Sequence, residues 1–544
     1  MKVAVILFAL FFSAFAIVLQ GIPVGGDAAV MFLLTESLVE DQDVFIPENP
    51  DVYLVRARGG KYTSRYGLGQ SIVEIPLYLL GRRVAQPASA RNQWYGHLLE
   101  YFVTAFTTPL ISAAWCTLVF LFGIRLGFGV PAAAVVSILM GFATLVLPHS
   151  KTLFTEPLQG LLLTAACYFA VGAWRPQTTL GVAHRGNRTL FWSGFSAGFL
   201  VLVKSVNVLL FPLFVAYILW KNCRGDRPVA PTSAKNHVVL NLIIFTLPFL
   251  FFAALMFYYN YARFGSIWTS GYFGDVNRDS IFGFLLPLWV GLYGLIFSAG
   301  KGIIFYVPLV WLLFFCVRDF YQRRRDEAVL FAAICLVFLI VYGKWNQWHG
   351  DYTWGPRFLV PLMGLMVLPL GYLFRDVAEW QWKKKFFIAC VIAASIFVQA
   401  LGSAVNFNEY IQLTKSQIPY GILFTPGRVE LRDDLLLDHF VPEFSPLSGH
   451  WWLLKHTVLN GQLDKEELRE KMKADFPWKN LAPYAVPPDP TGGVGWDFWW
   501  RYFPEFFPNS LRWVIPLLAV MVVMFLASFN FVNYMFCSEQ RRMI

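Results

Sequence analysis

The sequence has few charged residues and few cysteines. Asp, Glu, Lys and Arg make up only 14% of the 544 residues, whereas hydrophobic residues make up 57% and aromatic residues 18%. This composition excludes an ordinary soluble globular protein, in which about 25% of residues are charged. The seven cysteines fall in apolar runs or in predicted cytoplasmic loops, which excludes a disulfide framework and a CxxC metal site. No extended Lys/Arg block with interleaved aromatic residues is present, so the net charge of +10 does not indicate a nucleic-acid partner.

What the sequence does contain is a series of apolar runs, each about 16–25 residues long, from one end to the other. They predict an all-α polytopic membrane protein with about 12 transmembrane helices. We expect the apolar N-terminus to be retained as the first helix, over 3–20, rather than cleaved as a signal peptide. Residues 1–405 are predicted to form the transmembrane domain and 406–511 an extracytoplasmic segment. Residues 512–544 are predicted to form the last transmembrane helix and a cytoplasmic tail.

The positions of basic loops predict the topology, because Lys and Arg are concentrated in cytoplasmic loops. The apolar stretch 190–220 has basic segments at both ends, so we expect it to go out and back as two short helices that reverse near Lys204. Residues 281–300 are predicted to be re-entrant or interfacial, because a crossing would place the basic "RDFYQRRRDE" outside. Residues 302–317 and 358–374 are each predicted to form one membrane-spanning helix.

This topology brings polar residues from distant segments to the outer face. Asp27 follows helix one, Arg65 begins a short apolar stretch expected to lie along the membrane interface, and Lys204 is at the hairpin turn. Glu156 and Arg357 each start a helix, and a positive charge at a helix N-terminus opposes the macrodipole, so an anionic partner is expected for Arg357. The candidate site residues are Asp27, Arg65, Tyr66, Glu156, Lys204, Asn260, His349, Asp351 and Arg357.

Simpler roles remain open for several of these residues when each is taken alone. Asp27 and Glu156 could merely cap their helices, since an acid is favoured in the first helical turn. Arg65 could anchor a lipid headgroup. His349 and Asp351 could be ordinary polar loop residues.

Together, three cations and a carboxylate on one face indicate an anionic lipid substrate, and a polyprenyl-phosphate sugar fits this description. Attack at C1 of the sugar would expel a phosphate, and the cations would stabilise the charge that grows on the leaving oxygens. One carboxylate suffices to take the proton of an acceptor hydroxyl. A second carboxyl acting as acid, as in glycoside hydrolases, is not required because a phosphate leaves without protonation.

The order and spacing of five segments resemble the GT-C superfamily of membrane glycosyltransferases, in its ArnT and protein-O-mannosyltransferase-like branch. The first outer loop of this family is similar to "GDAAVMFLLTESLVEDQDVFIP", and the family's donor-phosphate stretch is similar to "KYTSRYGLGQSIVEIPLYLLG". The other three segments are "FTEPLQGLLLTAACYF", "GFLVLVKSVNVLLFPL" and "WGPRFLVPLMGLMVLPL". The resemblance covers about residues 1–405 of the chain, and residues 406–511 match nothing that we can name.

The resemblance implies a role for each matching residue. Asp27 matches the catalytic carboxylate of the family, and Arg65 the basic residue that contacts the donor phosphate. Glu156 matches a second acidic residue, and Lys204 and Arg357 match basic positions. Many relatives have another acid directly after the first, whereas Ala28 stands here, so an acid pair or a metal-dependent mechanism is less expected.

The resulting expectation is a GT-C fold with an interfacial helix in its first outer loop. Its function would be an inverting glycosyltransferase that uses a polyprenyl-phosphate sugar donor and requires no cofactor. The acceptor would be a lipid, glycan or protein, and no nucleic acid is involved. We expect a multi-pass protein of the bacterial inner membrane whose active site faces the periplasm. The alternatives are a transporter or lipid flippase, and a non-catalytic assembly subunit. Transporters more often show repeats and polar residues near mid-membrane.

Overall fold

The structure is a computed structural model. It describes residues 1–23, 26–49, 52–90, 92–174, 186–224, 234–272, 283–284, 286–350, 353–375, 380–407, 409–410, 421–425, 428–432, 439–459, 467, 471 and 495–543.

Helices account for most of the described chain. Those before residue 265 are α1 Lys2–Ile17, α2 Gly26–Glu40, α3 Gly69–Ser89, α4 Gln93–Ala105, α5 Thr107–Arg125, α6 Val130–Ala143, α7 Val146–His149, α8 Glu156–Gly172, α9 Gly186–Val203, α10 Phe211–Cys223 and α11 Ala234–Phe264. Those after it are α12 Leu288–Phe297, α13 Ile303–Tyr306, α14 Val317–Arg323, α15 Arg325–Lys344, α16 Met363–Val367, α17 Leu370–Leu373, α18 Trp382–Ala404, α19 Pro446–Leu454, α20 Trp499–Phe506 and α21 Leu511–Met543.

Within the described residues, six helical segments are long and apolar enough to cross a membrane. They are Gln93–Arg125, Ser205–Cys223, His237–Phe264, Arg325–Lys344, Trp382–Ala404 and Pro508–Phe536. Several of them expose large apolar side chains along their length, as expected where lipid replaces water as the solvent. The chain is therefore a multi-pass membrane protein, and the count of about 12 spans stays a prediction.

The predicted helical hairpin over 190–220 is confirmed. Helix α9 ends at Val203, Lys204 has an extended backbone, and a 3-10 helix over Ser205–Leu210 leads into α10. The turn at Lys204 lies beside Glu156 at the start of α8, with 4.0 Å between the charged groups. Farther along α10, the ring of Tyr217 lies 6.0 Å from that of Trp174, beyond the end of α8. The chain therefore reverses at Lys204 and runs back along α8.

The prediction of one continuous helix over 302–317 is wrong, and so is that over 358–374. The first region consists of α13, a 3-10 helix over Pro308–Phe315 and α14. The second consists of a 3-10 helix over Arg357–Leu362 followed by α16 and α17. Prolines at positions 308, 361 and 369 lie in these regions. Each lacks the N–H that an α-helix needs, so the apolar periodicity persists while the helix is interrupted.

The Gly-rich region before α13 packs against the end of α15. A Cβ on Gly291 would meet the backbone of Gly343, and one on Gly294 would meet the ring of Trp348. Helix α12 has only 10 residues, too few to span a bilayer. The re-entrant or interfacial location of residues 281–300 stays a prediction.

Within the predicted first outer loop, which includes α2 and α3, these two helices are joined through a small antiparallel sheet with strand order β1–β3–β2. Strand β1 is Phe45–Ile46, β2 is Val55–Arg56 and β3 is Tyr62–Thr63. Phe45 and Val55 both pair with Thr63. Helix α3 then packs along α4, so the segment contains a helix where the sequence predicts one. Its location at the membrane interface stays a prediction.

The segment after α18 is tied to the helices by a buried ion pair. Lys151 Nζ lies 2.6 Å from Asp497 Oδ2, and Gln20 donates to the same carboxylate. Asp497 also accepts a hydrogen bond from Tyr502 on α20. Earlier in this segment, strands β4 Gly421–Thr425 and β5 Arg428–Arg432 form an antiparallel hairpin. The buried network holds the chain ends of α1, α18 and α20 at the same end of the protein as Asp27 and Glu156.

Candidate active site

Arg357 is the centre of a buried ion network that joins three distant parts of the chain. It is 5% exposed, and it is the first residue of the 3-10 helix Arg357–Leu362, which lies between α15 and α16. Its Nη1 lies 2.6 Å from Asp27 Oδ2, and its Nε donates to Glu156 Oε1 at 2.9 Å. The expected anionic partner of Arg357 is thus supplied by the protein's own two carboxylates.

Helix starts place these two carboxylates. Asp27 lies in the first turn of α2, and Glu156 begins α8, with proline following it in the sequence. An acid is favoured at both positions by the helix dipole. Neither acid is only a cap, however, because each also bonds to Arg357. The second oxygen of Glu156, Oε2, is buried without a hydrogen-bond partner in the described structure.

Lys204 approaches the network from the helical hairpin. Its extended backbone directs the side chain to Glu156, where Nζ lies 4.0 Å from Oε1. The ammonium also lies 4.3 Å from the ring centre of Phe358 and 5.1 Å from that of Tyr342. These cation–π contacts partly compensate for burial of the charge. Glu156 therefore has cations on two sides.

Asp27 has a hydrogen-bond partner on each oxygen. The Tyr66 hydroxyl donates to Oδ1, while Arg357 holds Oδ2. Burial raises the pKa of Asp27, but the attraction of Arg357 and the bond from Tyr66 outweigh it, so the pKa lies below its ordinary value. Burial and the neighbouring Asp27 charge raise the pKa of Tyr66 well above its ordinary value. At neutral pH the pair is therefore a carboxylate and a protonated phenol.

Arg65 lies among aromatic rings next to this pair. Its guanidinium carbon is 5.0 Å from the ring centre of Tyr272, 5.3 Å from that of Tyr53 and 5.7 Å from that of Tyr66. Tyr66, one of these ring partners, donates to Asp27, so Arg65 lies beside the ion network. Gly67 permits this position, because a Cβ there would lie 2.9 Å from the carbonyl carbon of Val203.

Asn260 supports the loop that carries Arg65 rather than contacting the ion network. Its side-chain oxygen accepts from Arg263 Nη2 at 2.9 Å, and Arg263 Nη1 donates to the carbonyl of Ser64 at 2.6 Å. Arg263 is fully buried. Asn260 and Arg263 therefore position the backbone immediately before Arg65.

His349 lies in a separate aromatic cluster. Its ring centre is 4.8 Å from that of His439 and 5.8 Å from that of Trp348. Burial lowers the pKa of His349 to about 3, so its imidazole is neutral near pH 7. Asp351, the other predicted residue of this loop, lies outside the described residues.

Several residues of the site were missed by sequence reasoning. They are His149, Phe154, Tyr272, Tyr342 and Phe358. Phe154 lies under Arg357, with 4.3 Å between the guanidinium carbon and the ring centre. His149 is buried, and burial lowers its pKa to about 4, so it is neutral near pH 7. The four aromatic residues carry no feature that sets them apart among the 53 Phe and 23 Tyr of the sequence. Only the position of His149, seven residues before Glu156, could have drawn attention to it.

One group of described side chains has a spacing suited to a metal ion, and it lies apart from Arg357. The ligand atoms of Glu36, His97 and Glu100 lie within 4.8 Å of one another on α2 and α4. In the ion network itself, the two carboxylates are separated by the positive charge of Arg357. A divalent cation between Asp27 and Glu156 would have to replace that guanidinium.

Comparison with known proteins finds distant structural similarities. No model of a known protein family matches the chain, and no curated protein matches it. The solved structure of ArnT from Cupriavidus metallidurans bound to undecaprenyl phosphate is similar with a TM-score of 0.46 and 12% identity, over 88% of this chain and 88% of that one. ArnT in the apo state gives 0.44 and 13% with the same coverage.

The archaeal oligosaccharyltransferase AglB from Archaeoglobus fulgidus, in complex with an inhibitory peptide and a dolichol-phosphate, gives a TM-score of 0.45 and 12% identity. The match covers 90% of this chain and 61% of that one, so the chain spans only part of the archaeal enzyme. ArnT and AglB are GT-C glycosyltransferases, the superfamily that the sequence resembles.

Proposed function

We propose that the chain is a GT-C glycosyltransferase that transfers a sugar from a polyprenyl phosphate to an acceptor hydroxyl. The observation that carries this proposal is the cluster of Asp27, Glu156, Lys204 and Arg357 at one end of the helices, with Arg65 beside it. Three cations and two carboxylates leave one net positive charge among these five side chains. Such a site at the ends of apolar helices suits a phosphate that carries an apolar tail.

The reaction is an inverting displacement in one step. The acceptor oxygen attacks C1 of the sugar, the bond between C1 and the phosphate oxygen breaks, and the polyprenyl phosphate leaves with that electron pair. Asp27 takes the proton of the acceptor hydroxyl. Arg65, Lys204 and Arg357 bind the phosphate and stabilise the charge that develops on it. Glu156 orients Arg357 and Lys204, and it is the candidate group on the acceptor side.

The side of the membrane on which the site lies is inferred from the positions of the basic segments. All the cations of the cluster lie at the end of the helices opposite to the basic segments around residues 221–224 and 323–325. Lys221 and Arg224 of the first segment pair with Asp326, which follows the second segment. Because basic loops are cytoplasmic, the cluster would face the extracytoplasmic side. We therefore place the enzyme in a bacterial inner membrane with the active site on the periplasmic side. The acceptor is a lipid, a glycan or a protein.

The test is transfer of labelled sugar by the purified protein in lipid, comparing wild type with Asp27→Asn. Loss of the base should lower the rate by about 10²- to 10⁴-fold. Asp43→Asn is the matched control, because Asp43 lies in the same outer loop, pairs with Lys61 at 3.3 Å and is 38% exposed.

The outcomes separate the alternatives. The control should keep wild-type transfer and the wild-type unfolding temperature, and Asp27→Asn should remain folded at the temperature of the assay. A scaffold subunit would support the same cellular glycoconjugates with Asp27→Asn as with aspartate. Mass spectrometry of envelope glycans and lipids from a deletion strain identifies the product, and an unchanged profile would count against the enzyme.

A further inference from the structure

The candidate base, Asp27, and the candidate phosphate-binding residue, Arg357, are bonded to each other. Arg357 Nη1 lies 2.6 Å from Asp27 Oδ2, and the same side chain reaches Glu156 through Nε at 2.9 Å. The Arg357 side chain is 6% exposed and that of Asp27 24%. With Tyr66 donating to Oδ1, both oxygens of Asp27 are engaged.

This arrangement makes Asp27 a weaker base than a carboxylate without a cation beside it. A carboxylate that accepts a proton needs a free lone pair directed to the acceptor hydroxyl, within about 2.6–3.2 Å. A guanidinium close to the same oxygen opposes protonation, because the neutral acid would lose the attraction. Other charged or titratable groups whose fields reach this pair are Arg65, Tyr66, His149, Glu156, Lys204, Tyr272 and Tyr342.

A bound phosphate would compete with Asp27 for the guanidinium of Arg357. The guanidinium forms paired hydrogen bonds with a phosphate as readily as with a carboxylate, and it has five N–H donors to distribute. Glu156 holds it through Nε, so Nη1 can turn from Asp27 to a new anion while the side chain stays anchored. Lys204 and Arg65 flank the same region and would attract the phosphate to it.

We propose that the donor phosphate displaces Asp27 from Arg357 and thereby frees the base, so that the enzyme becomes competent for the acceptor only after the donor is bound. This inference rests on the proposed function and adds an order of events to it. Asp27 then keeps Tyr66 on Oδ1, which fixes the carboxylate, while Oδ2 becomes available. Tyr66 is a positioning residue in this scheme. Without donor, the closed ion pair protects the site from unproductive proton transfer.

The experiment compares structures of the full chain with and without undecaprenyl phosphate, in lipid nanodiscs. We expect Arg357 Nη1 to bond to the phosphate, and its distance from Asp27 Oδ2 to grow beyond about 4 Å, the limit for an ion pair. A complex in which the phosphate is bound by other groups while Arg357 still holds Asp27 overturns the exchange.

Binding affinity gives a second, independent measure. In Asp27→Asn, Arg357 need not leave a charged partner, so undecaprenyl phosphate should bind about tenfold more tightly although transfer is lost. Asp326→Asn is the matched control. It removes one carboxylate that pairs with Lys221 at 2.9 Å and Arg224 at 3.1 Å, and affinity should not change.

The possible failures are distinguishable. Equal affinity of wild type and Asp27→Asn overturns the exchange and leaves the glycosyltransferase proposal standing. If neither protein binds undecaprenyl phosphate, and both remain folded by thermal unfolding, the proposed function and the exchange both fail.

Discussion

Replacing Arg357 by lysine is the sharpest test of the ion network, because it keeps the charge and changes only the geometry. The guanidinium reaches two carboxylates from different atoms, Asp27 through Nη1 at 2.6 Å and Glu156 through Nε at 2.9 Å. A lysine has one compact ammonium group and cannot reproduce that planar fork. One of the two contacts should therefore be lost in Arg357→Lys.

The size of the effect follows from the energy of one such contact. A hydrogen bond to a charged group is worth about 1.5–3 kcal/mol. If the contact orients the phosphate in the transition state, a loss of about 2 kcal/mol lowers the rate about 30-fold. A buried carboxylate left without its partner would also destabilise the fold, by about 3–5 kcal/mol if the pair is fully broken.

The assay is transfer of radiolabelled sugar from a polyprenyl-phosphate donor by protein in proteoliposomes, with thermal unfolding measured on the same sample. Arg82→Lys is the matched control, since Arg82 is 54% exposed and forms one contact, 2.7 Å from Glu40. It should retain wild-type activity. A loss of less than about threefold in folded Arg357→Lys would refute the view that the forked geometry matters.

Two further substitutions test the surroundings of the network. Burial raises the pKa of Glu74 from its ordinary value of 4.5 to about 7. The folded state thus favours the neutral acid, and stability falls as pH rises between these values. Glu74→Gln should therefore raise the unfolding temperature more at pH 8 than at pH 5, and an equal effect at both pH values would contradict this. Gly67→Ala should lower transfer at least about tenfold by pushing the loop away from the backbone of Val203, only 2.9 Å from the new Cβ. The exposed Gly129→Ala, whose Cβ would have 3.7 Å to Pro131, is the control, and equal activity of the two variants would argue against the close packing.

The sequence by itself determined that the protein is built from membrane helices and that the chain reverses near Lys204. Composition and apolar run length require membrane helices, since backbone polar groups in lipid must bond within the segment. Basic loops on both sides of 190–220 left only a reversal, and the structure has one. These properties depend on local composition, which a single sequence records.

The interruptions of the helices predicted over 302–317 and 358–374 were harder to predict from the sequence than the hairpin. The prolines at positions 308, 361 and 369 were present in the sequence, but the apolar pattern around them is the same for an intact helix and for a chain of short helical pieces. Proline can kink a membrane helix or end it, depending on what its neighbours supply to the freed backbone groups. Packing around each proline therefore decides between the two.

Only the tertiary structure decided which side chains meet. The sequence predicted that Asp27, Glu156 and Arg357 share a face, but not that the arginine bonds to both acids, because they come from segments that are far apart along the chain. It likewise assigned Asn260 to the site, where the structure shows it holding Arg263 beneath the Arg65 loop. Charge and helix position are local properties, whereas a contact of 2.6 Å depends on how whole helices pack, and for that reason it cannot be deduced from one sequence.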